Sequence, residues 1–263
     1  MKDLPERLAS SGALEIDKKL KTISGGKVLD VATEGGGFIQ TLMKTLKDYN
    51  SFIGVDISKK SLEKAKKSFK KQSVEFILMN AENLKFKHDS FDTVGISHSL
   101  HHLANIDTVL TEMKRVLKSD GYFLIQESFC DGNQTEAQQT DILQHYWGAK
   151  IDNLKGIPHN KTLQKQELIE IIRNLELKDL VTIESSHYVK CLYCKDKVEC
   201  ENPKSENLIN FAIKEIDSDL NRLAEFVNHP EYPRLKEEGK ELKKRVRKTG
   251  VGIPSHLFVI GRK

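Results

Sequence analysis

Apolar positions in the first half of the chain fall into two kinds of segment that alternate. Short, nearly continuous apolar runs at Lys27 to Ala32, Ser51 to Val55, Val74 to Met79, Phe91 to Ser97 and Tyr122 to Glu127 have the length and branched-residue content of buried strands. Between them, apolar residues recur at helical spacing: Phe38, Leu42, Met43 and Leu46, then Leu62, Ala65 and Phe69 within the lysine-rich stretch Lys59 to Lys71, then the segment Asn105 to Leu117. Ser119-Asp120-Gly121 reads as a turn ahead of the strand at Tyr122. Buried strands alternating with helices predict an α/β fold, a doubly wound parallel sheet covered on both faces.

The second half is less regular. Cys130 to Asn160 lacks clear periodicity, although Thr135 to Gly148 suits a helix closing on Tyr146-Trp147, and residues 130–162 are expected to form a lid. A helix over Leu163 to Leu175 and a strand over Leu180 to Val189 follow, and Ser255 to Ile260 reads as the last strand. Roughly sixty residues separate those two strands, far beyond an ordinary loop, so 190–250 is expected to be a helical insertion. Leu208, Ile209, Ala212, Ile213, Ile216, Leu220, Leu223 and Val227 give it an apolar face that serves either as core or as the surface of a homodimer. Residues 1–263 are expected to make one domain.

With 38% hydrophobic and 30% charged residues, the composition is that of a globular protein. The net charge of +4 is the small difference between 42 basic and 38 acidic residues spread along helices, which argues against a nucleic-acid partner. The stretch MKDLPERLASSGALEIDKKL is charged throughout, and no run approaches the ~18 uncharged apolar residues of a membrane span, so the cytosol is the expected compartment and no membrane partner is expected. Four cysteines, Cys130, Cys191, Cys194 and Cys200, are then free thiols rather than disulfides. His187 with Cys191, Cys194 and Cys200 is a ligand set zinc accepts, but the spacing is irregular, free thiols are the preferred reading, and no metal centre is expected.

Chemistry concentrates after the first strand. Asp30-Val31-Ala32-Thr33-Glu34-Gly35-Gly36-Gly37 is a strand end running through small residues into a helix, which lets a ligand meet backbone N–H groups at the helix N-terminus. Asp56, ending the second strand, is placed to accept hydrogen bonds from a ribose diol. The pair describes a nucleoside-containing cofactor. A nicotinamide dinucleotide is disfavoured, because the G-x-G-x-x-G fingerprint beginning at Gly35 would need glycine where Gln40 stands.

In order and spacing, Val28-Leu29-Asp30-Val31-Ala32, Gly54-Val55-Asp56-Ile57-Ser58, Asn80-Ala81-Glu82-Asn83-Leu84, Ser90-Phe91-Asp92-Thr93-Val94, Leu100-His101-His102-Leu103 and Arg115-Val116-Leu117 through Gly121 resemble the motifs of class I S-adenosylmethionine (SAM)-dependent methyltransferases. The resemblance covers approximately Val28 to Glu127. It implies a Rossmann-like seven-stranded sheet with a reversed last strand, SAM as cofactor, and methyl transfer to a small-molecule acceptor. It also implies that Asp30 and the loop Ala32, Thr33, Glu34 and Gly36 hold the methionine part, Asp56 the ribose and Ile57 an adenine face. Asn80, Ala81 and Glu82 would then border the adenine edge, and Ser97 and His98 the sulfonium.

Glu34 stands where that family usually has glycine, and Asn80 where it more often has aspartate. Glu34 is open to three roles: pairing with the α-ammonium of SAM, pointing outward, or closing the site. Methyl transfer from an activated donor needs mainly alignment, so the catalytic residues are left unknown, with His98, His101, His102 or His145 available as a base for a hydroxyl acceptor. The alternatives to a small-molecule enzyme are a SAM-binding protein without turnover, motivated by Glu34, and an RNA or protein methyltransferase. Methylation of exocyclic base nitrogens is disfavoured because Ser97-His98-Ser99-Leu100 replaces the Asn/Asp-Pro-Pro-aromatic motif of that branch.

Overall fold

The computed structural model describes residues 12–70, 72–185 and 202–263. Its sheet has seven strands: β1 (Lys27–Val31), β2 (Ser51–Asp56), β3 (Val74–Leu78), β4 (Phe91–Ser97), β5 (Leu117–Ser128), β6 (Lys178–Ser185) and β7 (His256–Arg262), in the order β3-β2-β1-β4-β5-β7-β6. β1 pairs in parallel with β2 and β4, β2 with β3, and β4 with β5, while β6 and β7 run antiparallel to each other. This is the mixed α/β sheet with a reversed last strand that the motif order implied.

Helices α1 (Ala13–Leu20), α2 (Gly37–Thr45), α3 (Lys59–Ser68) and α4 (Ile106–Val116) alternate with the parallel strands, α5 (Glu136–Leu154) and α6 (Lys165–Asn174) follow β5, and α7 (Glu206–Leu223) and α8 (Tyr232–Thr249) precede β7. The central strands are apolar on both faces because both faces are covered. Val28, Leu29 and Val31 of β1 and Val94 and Ile96 of β4 are 0% exposed. On one side of β1 the chain continues to β2, and on the other it returns at β4. The order thus reverses at β1, and the usual ligand position in such sheets is outside the carboxyl ends of the strands at that point.

Two compact units are distinguishable. One comprises the described residues up to Glu127, with Ile169–Ser185 and His256–Lys263, and contains the sheet. The other draws its described residues from 128–168 and 202–255, so it takes in both the 130–162 stretch and the described part of 190–250. Trp147 and Ile151 of α5, Ala212, Ile216 and Leu223 of α7, and Leu235, Leu242 and Val246 of α8 form its core. Trp147 donates its indole N–H to the Leu235 carbonyl at 2.8 Å, and a Cβ on Gly239 would lie 2.6 Å from the same indole, so α8 needs glycine there. Trp147, 2% exposed, is thus a packing residue of this core.

Two local expectations change, and one cannot be compared. Ser119-Asp120-Gly121 is not a turn but an irregularity inside β5, which starts at Leu117 opposite Phe91 and resumes at Tyr122 opposite Thr93. Asp120 is left-handed (φ +59°), and a Cβ on Gly121 would meet the Asp92 carbonyl at 2.9 Å, so the extra residues bulge without reversing the chain. α5 is 19 residues long and runs past Gly148, entered through a reciprocal Thr135/Gln138 capping box. His187, Cys191, Cys194 and Cys200 lie outside the described residues, and Cys130 is a half-buried free thiol. Among the described residues, no helix is long and apolar enough to cross a membrane.

Candidate active site

Asp30, near the end of β1, is 1% exposed. Its Oδ2 accepts the Thr33 hydroxyl at 2.5 Å, while Oδ1 is buried and accepts no hydrogen bond among the described residues. Burial pushes this carboxyl up to about 7, against the Thr33 hydrogen bond and with a smaller repulsion from Asp56. A buried carboxyl lacking a counter-charge is what this position presents.

The loop beyond Asp30 has left-handed residues at Ala32 (φ +53°), Glu34 (φ +46°) and Gly36 (φ +81°). Thr33 N–H donates to the Val55 carbonyl at 2.9 Å and Gly36 N–H to the Thr33 carbonyl at 2.7 Å, closing the curl against β2. Gly36 is obligatory twice over, because a Cβ would also lie 2.5 Å from the Phe69 ring. It is the N-cap of α2 and offers no side-chain cap, and Gly37 faces open space, so the first-turn N–H groups of α2 are accessible to an anionic ligand.

Glu34 is well placed in the loop through its backbone rather than its side chain. Its side chain is exposed, and its contribution to the loop is the backbone N–H, which donates to Asp56 Oδ2 at 2.9 Å. Asp56 Oδ1 accepts the Ser58 N–H at 2.7 Å, so two loops fix the carboxylate. A carboxylate has about four lone-pair positions, leaving acceptor capacity for a vicinal diol. Beside it, Ile57 is 75% exposed and Leu78 57% exposed, two apolar side chains offered to a flat hydrophobic ligand.

Asn80 accepts the Glu82 N–H at 2.9 Å, capping the short 3₁₀ turn Ala81–Asn83. Glu112 and Arg115 of α4 hold the segment that follows: Glu112 Oε2 accepts the Leu84 N–H at 2.9 Å, and Arg115 donates to the carbonyls of Leu84 (2.7 Å) and Phe86 (2.9 Å). That clamp is the structural role of the arginine in the Arg115-Val116-Leu117 motif. At the end of β4, Ser99 Oγ donates to the Ser97 carbonyl at 2.8 Å and approaches the Ala32 carbonyl at 3.4 Å, which ties this turn to the β1 loop. His98 is left-handed (φ +47°), donates its N–H to Gln126 at 2.7 Å, and is held below the usual imidazole pKa by burial.

All twelve residues expected at the cofactor therefore lie at or just beyond the carboxyl ends of the adjacent parallel strands β1 to β4. The chemistry fits SAM. An orphaned buried carboxylate suits an α-ammonium, an open helix N-terminus an α-carboxylate, Asp56 a ribose, and Ile57 a purine face.

Glu127, read only as the polar end of a strand, is a further component. It is 0% exposed and accepts the Leu100 N–H at 2.7 Å, with His101 Nδ1 at 3.1 Å from its other oxygen. Burial opposes its charge, but His101, His98 and the Leu100 N–H outweigh that cost and hold the carboxyl below its usual range. It fixes the ring of His101 beside the sheet edge.

Residues 29–125 match the model of a family described as a methyltransferase domain. A demethylmenaquinone methyltransferase of Thermotoga maritima is 39% identical over 101 residues, 38% of this chain and 43% of that protein. Phthiotriol/phenolphthiotriol dimycocerosates methyltransferase 1 of Mycobacterium ulcerans is 27% identical over 154 residues, 59% of this chain and 52% of the relative. The matched stretch thus spans about half the length of such curated relatives. Among solved structures, the [4+2]-cyclase SpnF shares the fold with a TM-score of 0.58 at 14% identity, covering 94% of this chain and 78% of that one. Over residues 29–125, the chain is thus similar to a methyltransferase domain.

Proposed function

We propose that this protein is a SAM-dependent methyltransferase acting on a small-molecule acceptor in the cytosol, with SAM in the crevice at the ends of β1, β2 and β4. One observation carries it: the Asp56 carboxylate is anchored by the N–H groups of Glu34 and Ser58 at 2.9 and 2.7 Å, beside the uncapped N-terminus of α2 and the exposed face of Ile57. When bound, SAM supplies a methyl group on a sulfonium, activated for attack by a nucleophile. The chain's part is to bind, orient and manage protons. Asp56 would fix the ribose and Asp30, with the first turn of α2, the amino-acid part. Ser97 and His98 would border the sulfonium, and Ala81 and Glu82 the adenine.

Glu127 keeps the proton of His101 on Nδ1, so Nε2 is the basic nitrogen. A base there suits an acceptor that must lose a proton as it is methylated, and the quinone and phenolic names among the relatives support the same acceptor class. The test is formation of S-adenosylhomocysteine from SAM with a panel of phenols, catechols and reduced quinones, in wild type and Asp56→Ala. Turnover with one class, abolished in Asp56→Ala, is expected. SAM binding without turnover across the panel would favour the non-catalytic binding protein that Glu34 first suggested.

A further inference from the structure

Helix α3 presents a face that the methyltransferase chemistry does not use. Residues 59–71 hold seven lysines and one glutamate, a net charge above the +4 of the whole chain, so the basic excess is concentrated on this stretch rather than spread along the helices. Leu62 (3% exposed), Ala65 (0%) and Phe69 (3%) form the stripe by which α3 and its C-cap pack inward. Opposite that stripe stand two rows of exposed lysines: Lys59, Lys66 and Lys70 at i, i+7 and i+11, and Lys60, Lys64 and Lys67 at i, i+4 and i+7.

These charges work against the helix that carries them. Like charges three or four residues apart repel, as Lys60 and Lys64 do, and Lys66 and Lys70. The first turn contains no acidic residue, so Lys59 and Lys60 stand at the positive end of the helix dipole. None of the six ammonium groups has a hydrogen-bond or ion-pair partner among the described residues, and Glu63, the one acid on this face, pairs with none of them. On α8, which is also rich in lysine, Lys240 pairs with Glu237 at 2.8 Å, Lys244 with Glu241 at 2.6 Å, and Lys243 with Asp217 of α7. There the lysines are interleaved with acids, and on α3 they are not.

Such a face fits a diffuse array of negative charge. Its cations are all lysines, compact hydrated charges without the planar fork of arginine, and no exposed aromatic stands among them. The bidentate and stacking contacts that serve nucleic acids are therefore lacking. Clusters of about four to eight basic residues on one amphipathic helix suit the headgroups of anionic phospholipids. That no described helix is long and apolar enough to cross a membrane bears only on crossing, and attachment to a bilayer surface needs no spanning segment.

We infer that the lysine face of α3 is an electrostatic docking surface for a bilayer rich in anionic phospholipid. Its contact is with headgroups alone, because the apolar stripe of the helix is already buried. The full chain is mixed with vesicles of phosphatidylcholine, alone or with about 30 mol% phosphatidylserine, and binding is read by co-sedimentation over a range of salt. Wild type should bind only the anionic vesicles, and salt should weaken the binding. The triple variant Lys60→Gln/Lys64→Gln/Lys67→Gln should lose about fivefold per lysine, on the order of 100-fold in all, and should melt no lower than wild type because repulsion is removed. Lys236→Gln/Lys240→Gln/Lys244→Gln on α8 makes the same change in charge and should bind as wild type does. No binding to the anionic vesicles at low salt, undiminished binding in the α3 variant, or an equal loss in the α8 variant would overturn the inference. Salt-sensitive binding to a single-stranded RNA oligonucleotide, lost in the α3 variant and without binding to vesicles, would overturn it too and assign the face to nucleic acid.

Discussion

Replacing Asp30 with asparagine should stabilise the fold and weaken the cofactor site at once. The side chain is 1% exposed and its carboxyl is pushed up to about 7, chiefly by burial. A folded-state pKa above the unfolded value of 3.8 means that the native state holds the extra proton between about pH 4 and 7, so stability falls as pH rises through that window. Keeping the group ionised near pH 8 costs about 3 pKa units, on the order of 4 kcal/mol. Asparagine keeps the shape and an oxygen for the Thr33 hydroxyl but carries no charge. Differential scanning fluorimetry should give matching melting temperatures near pH 4 and a variant higher by roughly 8 °C near pH 8, at about 2 °C per kcal/mol for a chain of this size. Asp141, also pushed up to about 7 by burial, adds the same slope to both proteins and cancels in the comparison. In wild type, pairing with the α-ammonium of SAM would favour ionised Asp30, so binding near pH 7 should release protons, visible as a buffer-dependent heat. A variant whose advantage over wild type is no larger near pH 8 than near pH 4, or SAM binding with no proton release, would refute the argument.

Other substitutions bear on neighbouring parts of the account. Gly36→Ala forces a Cβ to 2.5 Å from Phe69 at φ +81°, so a loss of about 2–3 kcal/mol in urea unfolding and of SAM binding is expected. Ile57→Ala, at a side chain 75% exposed, should leave stability within about 0.5 kcal/mol yet weaken SAM binding by several-fold in calorimetry. Glu127→Gln should leave SAM affinity nearly unchanged while lowering the methylation rate of a phenolic acceptor and shifting its pH profile, since the ring of His101 loses its fixed carboxylate. Trp147→Ala should cost about 3–5 kcal/mol, from the cavity and the lost bond to Leu235.

The alternation of apolar runs made β1 to β4 and their helices legible, because strands covered on both faces must be apolar throughout. Asp30 and Asp56 were readable as well, each being a charge at the end of such a run. The β5 irregularity was not, since Ser119-Asp120-Gly121 has the composition of a turn and only the packing of Gly121 under the Asp92 backbone makes it a bulge. Glu127 was equally hidden: its partners Leu100 and His101 lie 27 and 26 residues away, and nothing local separates a buried carboxylate from the polar end of a strand. The backbone role of Glu34 in the loop could have been read from its position alone. A site that takes glycine demands positive φ, and there the backbone N–H performs the task while the side chain is left outside.

Calorimetric titration of SAM and S-adenosylhomocysteine into purified wild type, Asp56→Ala and Glu34→Gly is the most direct test of the central claim. Micromolar binding to wild type, retained in Glu34→Gly because that side chain is exposed, and lost in Asp56→Ala, is the result predicted. Binding only in Glu34→Gly would mean that Glu34 closes the crevice, and binding in none of the three would contradict the cofactor assignment itself.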